Sequence, residues 1–272
     1  MGLPLDILSL PLFVPADRPE RFSKAIEAGP DAVFIDLEDA VAPDGKAGAR
    51  DALWQHLQRL EPNVPLAVRV NAIGTPWHDD DLAAISRLPL AAVVLPKAES
   101  AEAVKAVFAR TRLPVIALVE SARGIGNIRE IAKHCARIAF GSIDYAADLA
   151  MGHTRSSLLA ARSEIVLASR LAGIPAPIDG VTTAIRDDRC VIDDCAHAVE
   201  LGFAGKLLIH PAQIAPARRG FRPSEDEIAW ARRVIDATSQ GDAAIRVDGA
   251  MVDAPVLLRA RQIIRRAGNS VQ

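Results

Sequence analysis

Short apolar runs alternate with longer amphipathic stretches from one end of the chain to the other. LSLPLFV (8–14), AVFIDL (32–37), PLAVRV (65–70) and AAVVLP (91–96) have the length and β-branched content of strands. So do PVIALV (114–119), RIAFGS (137–142), PAPIDGV (175–181) and GKLLIH (205–210). Between them, Ala47–Leu60, Ala101–Arg110, Ser157–Leu171 and Cys190–Gly202 repeat their apolar positions at helical spacing. Near-continuous apolar strands separated by helices predict a parallel sheet covered on both faces. Eight such units in roughly 210 residues suit a closed (β/α)8 TIM barrel better than an open sheet. No Gly/Ser/Pro tract divides them, so residues 1–220 are expected to form one barrel.

A C-terminal helical extension is expected over 221–272. FRPSEDEIAWARRVIDA places Ser224 at an N-cap with Glu227 three residues on, the pattern of a capping box. A loop carrying Gly241 and Gly249 follows, with hinge-like backbone freedom. A last helix is expected to end near Arg266.

Composition narrows the class of protein. A formal charge of −2 over 272 residues leaves no basic footprint for nucleic acid. Cys135, Cys190 and Cys195 form no CxxC pair, and an odd count does not make a disulfide framework. The amino-terminal MGLPLDILSL has no basic leader pattern, and no apolar run is long enough to span a membrane. These features predict a cytoplasmic protein with reduced thiols and no membrane partner.

In such barrels chemistry gathers at the carboxyl ends of the strands. Those ends carry Asp36, Glu38, Asp39, Arg69, Asn71, Lys97, Glu99, Glu120, Asp144, Asp179 and His210. Glu120 is the most pointed of these: the apolar run ALV stops on a carboxylate, directly before Ser121 and a Gly-bearing turn. An ionised carboxylate there needs a partner, either Arg123 or a cation in a site. Glu120 and Asp144 lie on successive strand ends, and two carboxylates with water suit Mg²⁺; Mn²⁺ would fit the same oxygen ligands. Asp148 competes with Asp144 but falls one helical turn later.

Arg69 has no acid near it in sequence, which suits bidentate capture of a substrate carboxylate. Several residues also have structural readings. Asp36 or Asp39 could pair with Lys46 or Arg50, Lys97 could neutralise a neighbouring carboxylate, and Asp179 and His210 could hold loop backbone. His210 lacks a second His or Cys at metal-ligand spacing. ARGIGN lacks the third glycine of a nucleotide loop, and neither GxSxG nor a Cys–His dyad is present.

LFVPADRPERFSKA, FIDLEDAVAPDGK, AVRVN, VVLPKAES, LVESARGI, FGSIDYAADL, GKLLIHPAQI and GAMVDAPVLLRA, in this order, resemble the HpcH/HpaI aldolase and citrate lyase β-subunit family. That family includes malyl-CoA and citramalyl-CoA lyases. The resemblance implies a (β/α)8 barrel that uses Mg²⁺ to cleave a 3-hydroxyacyl-CoA thioester to acetyl-CoA and a 2-oxo acid. It makes Glu120 and Asp144 the metal ligands and Arg69 a substrate contact beside Glu120. Arg18 and Lys24 grip coenzyme A, with Phe13 and His210 assigned alongside them. Asp253 in GAMVDAP is the catalytic acid, supplied by a neighbouring subunit of a homotrimer. Asp36 and Glu38 join Asp253 and Arg69 as catalytic candidates. Asp253 also stands two residues before Pro255, where a helix N-cap would stand. Citramalyl-CoA ranks ahead of malyl-CoA and citryl thioesters as substrate. Two alternatives stay open: an aldolase acting on free 2-keto acids, and a citryl lyase subunit acting on an acyl-carrier protein thioester.

Overall fold

The computed structural model describes residues 8–60, 62–239 and 246–269; Gly241 lies outside them. Strands β1 (Pro11–Pro15), β2 (Ala32–Asp36), β3 (Leu66–Arg69) and β4 (Ala92–Leu95) form the first half of one sheet. Strands β5 (Val115–Val119), β6 (Arg137–Phe140), β7 (Ile178–Asp179) and β8 (Gly205–Lys206) complete it. The strands pair in sequence order, all in parallel. A parallel bridge between Leu12 and Leu208 joins the last strand to the first. Phe13 N–H donates to Leu208 O at 2.9 Å, and Lys206 N–H to Ser9 O at 2.7 Å. The sheet is a closed (β/α)8 barrel.

Helices separate the strands: α1 (Phe22–Glu27), α2 (Lys46–Leu57), α3 (His78–Ile85) and α4 (Ala101–Thr111) in the first half. Then come α5 (Ala122–Gly126), α6 (Ile128–Ala132), α7 (Ser142–Asp148), α8 (Arg155–Ala172) and α9 (Asp188–Leu201). Side chains close the orphan donors at several helix starts. Ser100 caps α4, Ser121 caps α5, Thr154 caps α8 and Asp187 caps α9. Alternate strand positions fill the barrel interior, with Phe34, Val94, Ile116, Leu118, Ile178 and Leu207 among its buried residues.

Two strands are shorter than the apolar runs suggested. In β7, Pro175 and Pro177 have no N–H to give a ladder, and pairing is confined to Ile178–Asp179. In β8 regular pairing ends at Lys206, and Leu208 continues it only through the bridge to Leu12.

The chain divides into two compact units after Ala217. Helix α10 (Ile214–Phe221) crosses that point. Beyond it lie α11 (Glu225–Ser239), the short strands β9 (Arg246–Val247) and β10 (Ala250–Met251), and α12 (Ala254–Asn269). The second unit has its own apolar centre, built from Ile228, Ala231, Val234, Val247, Ala260 and Ile263. The capping box forms as its sequence predicts. Ser224 N–H donates to Glu227 Oε2 at 2.9 Å, and Glu227 N–H returns to Ser224 Oγ at 3.1 Å. The three cysteines are free thiols. Among the described residues no helix is long and apolar enough to cross a membrane.

Candidate active site

A cavity of about 390 Å³ opens at the carboxyl ends of the barrel strands. Phe13, Asp36, Arg69, Glu120, Ser142 and Asp144 are among the residues that line it. Glu120 follows directly on β5 and is only 3% exposed. Its Oε1 accepts the Lys97 N–H at 2.8 Å. The rest of its side chain lies against Gly141, where a Cβ would stand 2.3 Å from Oε2. Glycine at 141 is therefore what lets the carboxylate occupy this position. Arg123 does not neutralise it; its Nη1 lies 3.7 Å from Glu99 Oε2 instead. Burial, then the charges of Glu38 and Asp144, push the Glu120 carboxyl up to about 8 against the partial relief given by the Lys97 N–H and Arg69. Glu120 sits where a cation would lower the free energy of its ionised form.

Asp144 faces the same cavity, but from a helix. Strand β6 stops at Phe140, and Asp144 lies in the first turn of α7, exposed. The apolar run continued past the last ladder residue, so the sequence reading placed the strand end too late. Asp148 is committed elsewhere, its Oδ2 accepting the Ala122 N–H at 2.7 Å. Among the described residues no cluster of three or more His, Cys, Asp or Glu surrounds the site. The protein thus offers a hard cation two carboxylates, a donor set that Mg²⁺ completes with water.

Arg69 is already engaged, contrary to its apparent isolation in sequence. The register of β2 and β3 sets Asp36 opposite Arg69. Arg69 Nε donates to Asp36 Oδ1 at 2.7 Å, and Nη2 donates to Oδ2 at 2.6 Å. Asp36 also accepts the N–H groups of Glu38 and Ala40, so it serves as the anchor of this corner. Arg69 Nη1 donates to Asp39 Oδ2 at 3.1 Å and stands 3.1 Å from Glu38 Oε2, which has no aligned hydrogen bond. The guanidinium lies over the Phe13 ring at 4.9 Å. Lys97 neutralises a carboxylate, as one reading of the sequence had it, donating to Glu38 Oε1 at 2.8 Å.

Lys46 and Arg50 do not pair with Asp36 or Asp39. Lys46 Nζ donates to the carbonyls of Leu37 and Glu38, while Arg50 lies beside Asp51, Asp80 and Asp81. Asn71 is likewise structural, its amide nitrogen donating to Asp81 Oδ2 at 2.7 Å. Asp179 does not reach the cavity. Arg162 on α8 and Lys206 on β8 lie 2.9 and 3.3 Å from its oxygens, and these two cations hold its carboxyl below the usual range despite burial. His210 is exposed, and its Nδ1 accepts the Ala212 N–H at 3.1 Å. Arg18 and Lys24 are exposed on the segment after β1 and do not line the cavity. In the second unit, Asp253 Oδ1 accepts the Val256 N–H at 3.1 Å and caps α12, as its place before Pro255 suggested.

Sequence reasoning passed over Ser142, whose Oγ lies 3.0 Å from His153 Nε2 in the cavity wall. It also passed over Gly141, Arg162 and Lys206. A glycine directly after a strand run was the available signal for Gly141.

The model of the HpcH/HpaI aldolase/citrate lyase family matches residues 10–211 of this chain. The chain belongs to that family. A citrate lyase subunit beta-like protein of Deinococcus radiodurans is 37% identical, over 97% of this chain and 99% of that one. A (3S)-malyl-CoA thioesterase of Cereibacter sphaeroides is 35% identical, over 94% of this chain and 93% of that one. Among solved structures, CitE from Mycobacterium tuberculosis, in complex with magnesium, acetoacetate and coenzyme A, is 39% identical. It superposes with a TM-score of 0.87 over 97% of this chain and 100% of that one. In this citrate lyase family member, then, the barrel is the fold it shares with the CitE structure.

Proposed function

We propose that this chain is a magnesium-dependent carbon–carbon lyase that cleaves a 3-hydroxyacyl-CoA thioester to acetyl-CoA and a 2-oxo acid. The observation that carries the reading is Glu120, a buried carboxylate beside Asp144, with Arg69 opposite in one cavity. Glu120 and Asp144 would hold Mg²⁺, which supplies when bound a Lewis acid for adjacent hydroxyl and carboxylate oxygens. The magnesium complex of the similar CitE structure supports this choice of metal, and its coenzyme A and acetoacetate support the substrate class.

The chain's own residues do the rest. Asp36 holds two nitrogens of Arg69 and Phe13 backs its face, so the guanidinium is fixed before substrate arrives. It lines the cavity as a fixed cation, held by Asp39 and Glu38 at Nη1 as well, and would stabilise charge that builds on the thioester enolate. As the hydroxyl gives up its proton, the bond between the hydroxyl carbon and the enolate carbon breaks and its electron pair passes into the thioester. A proton then returns to that carbon, giving acetyl-CoA. We assign this proton movement to Asp253 of a neighbouring copy in a homo-oligomer, the residue whose Oδ1 also caps α12. Arg18 and Lys24 are assigned to the coenzyme A phosphates, with exposed cationic side chains after β1. Citramalyl-CoA remains the first substrate to try.

The similarity to a (3S)-malyl-CoA thioesterase favours a second reading, hydrolysis of the thioester in the same cavity. The two differ in the fate of the carbon skeleton.

Metal dependence tests the first reading. EDTA should abolish release of acetyl-CoA from citramalyl-CoA, and Mg²⁺ or Mn²⁺ should restore it. Glu120→Ala should lose metal binding, measured by calorimetry, while its circular dichroism stays native. Full activity of that variant in metal-free buffer would end the proposal.

A further inference from the structure

Two polar contacts of the site meet at one residue that no reaction step uses, and a third follows from one of its partners. Lys97 donates its backbone N–H to Glu120 Oε1 at 2.8 Å and its ammonium to Glu38 Oε1 at 2.8 Å. The other oxygen of Glu38 stands 3.1 Å from Arg69 Nη1. Lys97 has φ +46°, in the left-handed region that a residue bearing a Cβ seldom adopts. Its neighbours enforce that turn. Ala98 N–H donates to Leu118 O at 3.1 Å, and Ala98 O lies so close to Gly124 that a Cβ there would stand 2.8 Å away. Strand β5 and helix α5 thus clamp the residue that follows Lys97. A strained backbone persists where surrounding structure over-determines it, and such positions cluster at functional sites.

We infer that Lys97 is a positioning residue, whose left-handed backbone aims an N–H at Glu120 while its ammonium fixes Glu38 against Arg69. One residue then sets both the carboxylate assigned to the metal and the guanidinium assigned to the substrate. The inference rests on the metal reading of Glu120. The backbone and the ammonium do separate work, so they are separable by substitution. Lys97→Gly removes the ammonium but keeps the N–H and is at ease at positive φ. Lys97→Val removes the ammonium and resists the turn more than lysine does, because its β-branch crowds the left-handed region. Lys97→Asn lies between them, because asparagine tolerates the left-handed region.

The test is Mg²⁺ affinity measured by calorimetry without substrate, on variants whose unfolding transitions remain cooperative. Lys97→Gly should bind Mg²⁺ within about threefold of wild type, and Lys97→Val roughly fivefold or more weakly than Lys97→Gly. Lys97→Asn should fall nearer to glycine, while Lys97→Thr, β-branched like valine, should fall with valine, which keeps the comparison available if the valine variant does not fold. For the thioester, Lys97→Gly should raise KM, and adding Glu38→Gln should cost less than about a further twofold, because the contact is already broken. Equal Mg²⁺ affinity of the glycine variant with the valine or threonine variant, in a protein whose wild type binds magnesium, overturns the backbone role. Multiplying losses from Lys97→Gly and Glu38→Gln overturn the ammonium role. Failure of the wild type itself to bind Mg²⁺ is a different result: it removes the metal reading and this inference with it.

Discussion

Glu120 combines burial with two like charges nearby, and its behaviour with pH follows. Its carboxyl is pushed up to about 8, above the ordinary carboxylate value of about 4.3. A carboxyl whose native pKa is raised binds its proton more tightly folded than unfolded. Its contribution to stability is therefore full below the unfolded value and is lost as pH rises from there toward 8. A divalent cation needs the ionised form, so binding expels the proton below that pH. Between pH 6 and 8, Mg²⁺ affinity should rise by about tenfold per pH unit and then level off. Calorimetry at pH 6.5 in buffers of contrasting ionisation enthalpy should count about one proton released per Mg²⁺. No proton release there would contradict the placing of the cation on Glu120. Arg69 shows the opposite balance: hydrogen bonds and charge from Asp36, with Glu38 and Asp39, outweigh its burial, and it stays a fixed cation.

At the scale of elements, strands β2 to β6 were legible because both of their faces are covered and their apolar runs are nearly unbroken. Helix ends were legible where a side chain could close a donor, as at Ser224 and Glu227. Contacts that depend on register were not. Asp36 and Arg69 are 33 residues apart in the chain and directly opposite each other in the sheet, a relation that no local pattern carries. The same holds for Asp179, whose partners come from α8 and β8. Asp144 was found as a residue but given the wrong element, since only the ladder shows that β6 ends at Phe140. Asp253 is legible as the cap of α12, and the resemblance to the family proposes it as an acid as well. The two roles differ in size. Asp253→Ala should cost about 1 kcal/mol of stability as a lost cap. Loss of an acid/base should lower kcat by roughly 10²–10⁴. A urea titration beside steady-state kinetics separates them, and a stability loss with kcat unchanged would leave only the cap.

At the scale of the whole molecule, the account requires more than one copy of the chain, because Asp253 is assigned to a neighbour's site. Mixing Asp253→Ala with Glu120→Ala, under conditions where subunits exchange, should restore a fraction of wild-type activity. Exchange without recovery would confine Asp253 to its own chain or remove it from the reaction. This chain's relatives are named for a citrate lyase subunit and for a (3S)-malyl-CoA thioesterase, and the choice between carbon–carbon cleavage and thioester hydrolysis is the central claim. It is tested most directly by mass spectrometry of the products from citramalyl-CoA, malyl-CoA and citryl-CoA incubated with the protein and Mg²⁺. The account predicts acetyl-CoA together with a 2-oxo acid in equal amounts, pyruvate in the case of citramalyl-CoA, and no products after EDTA. Free coenzyme A with the intact hydroxy acid would contradict it.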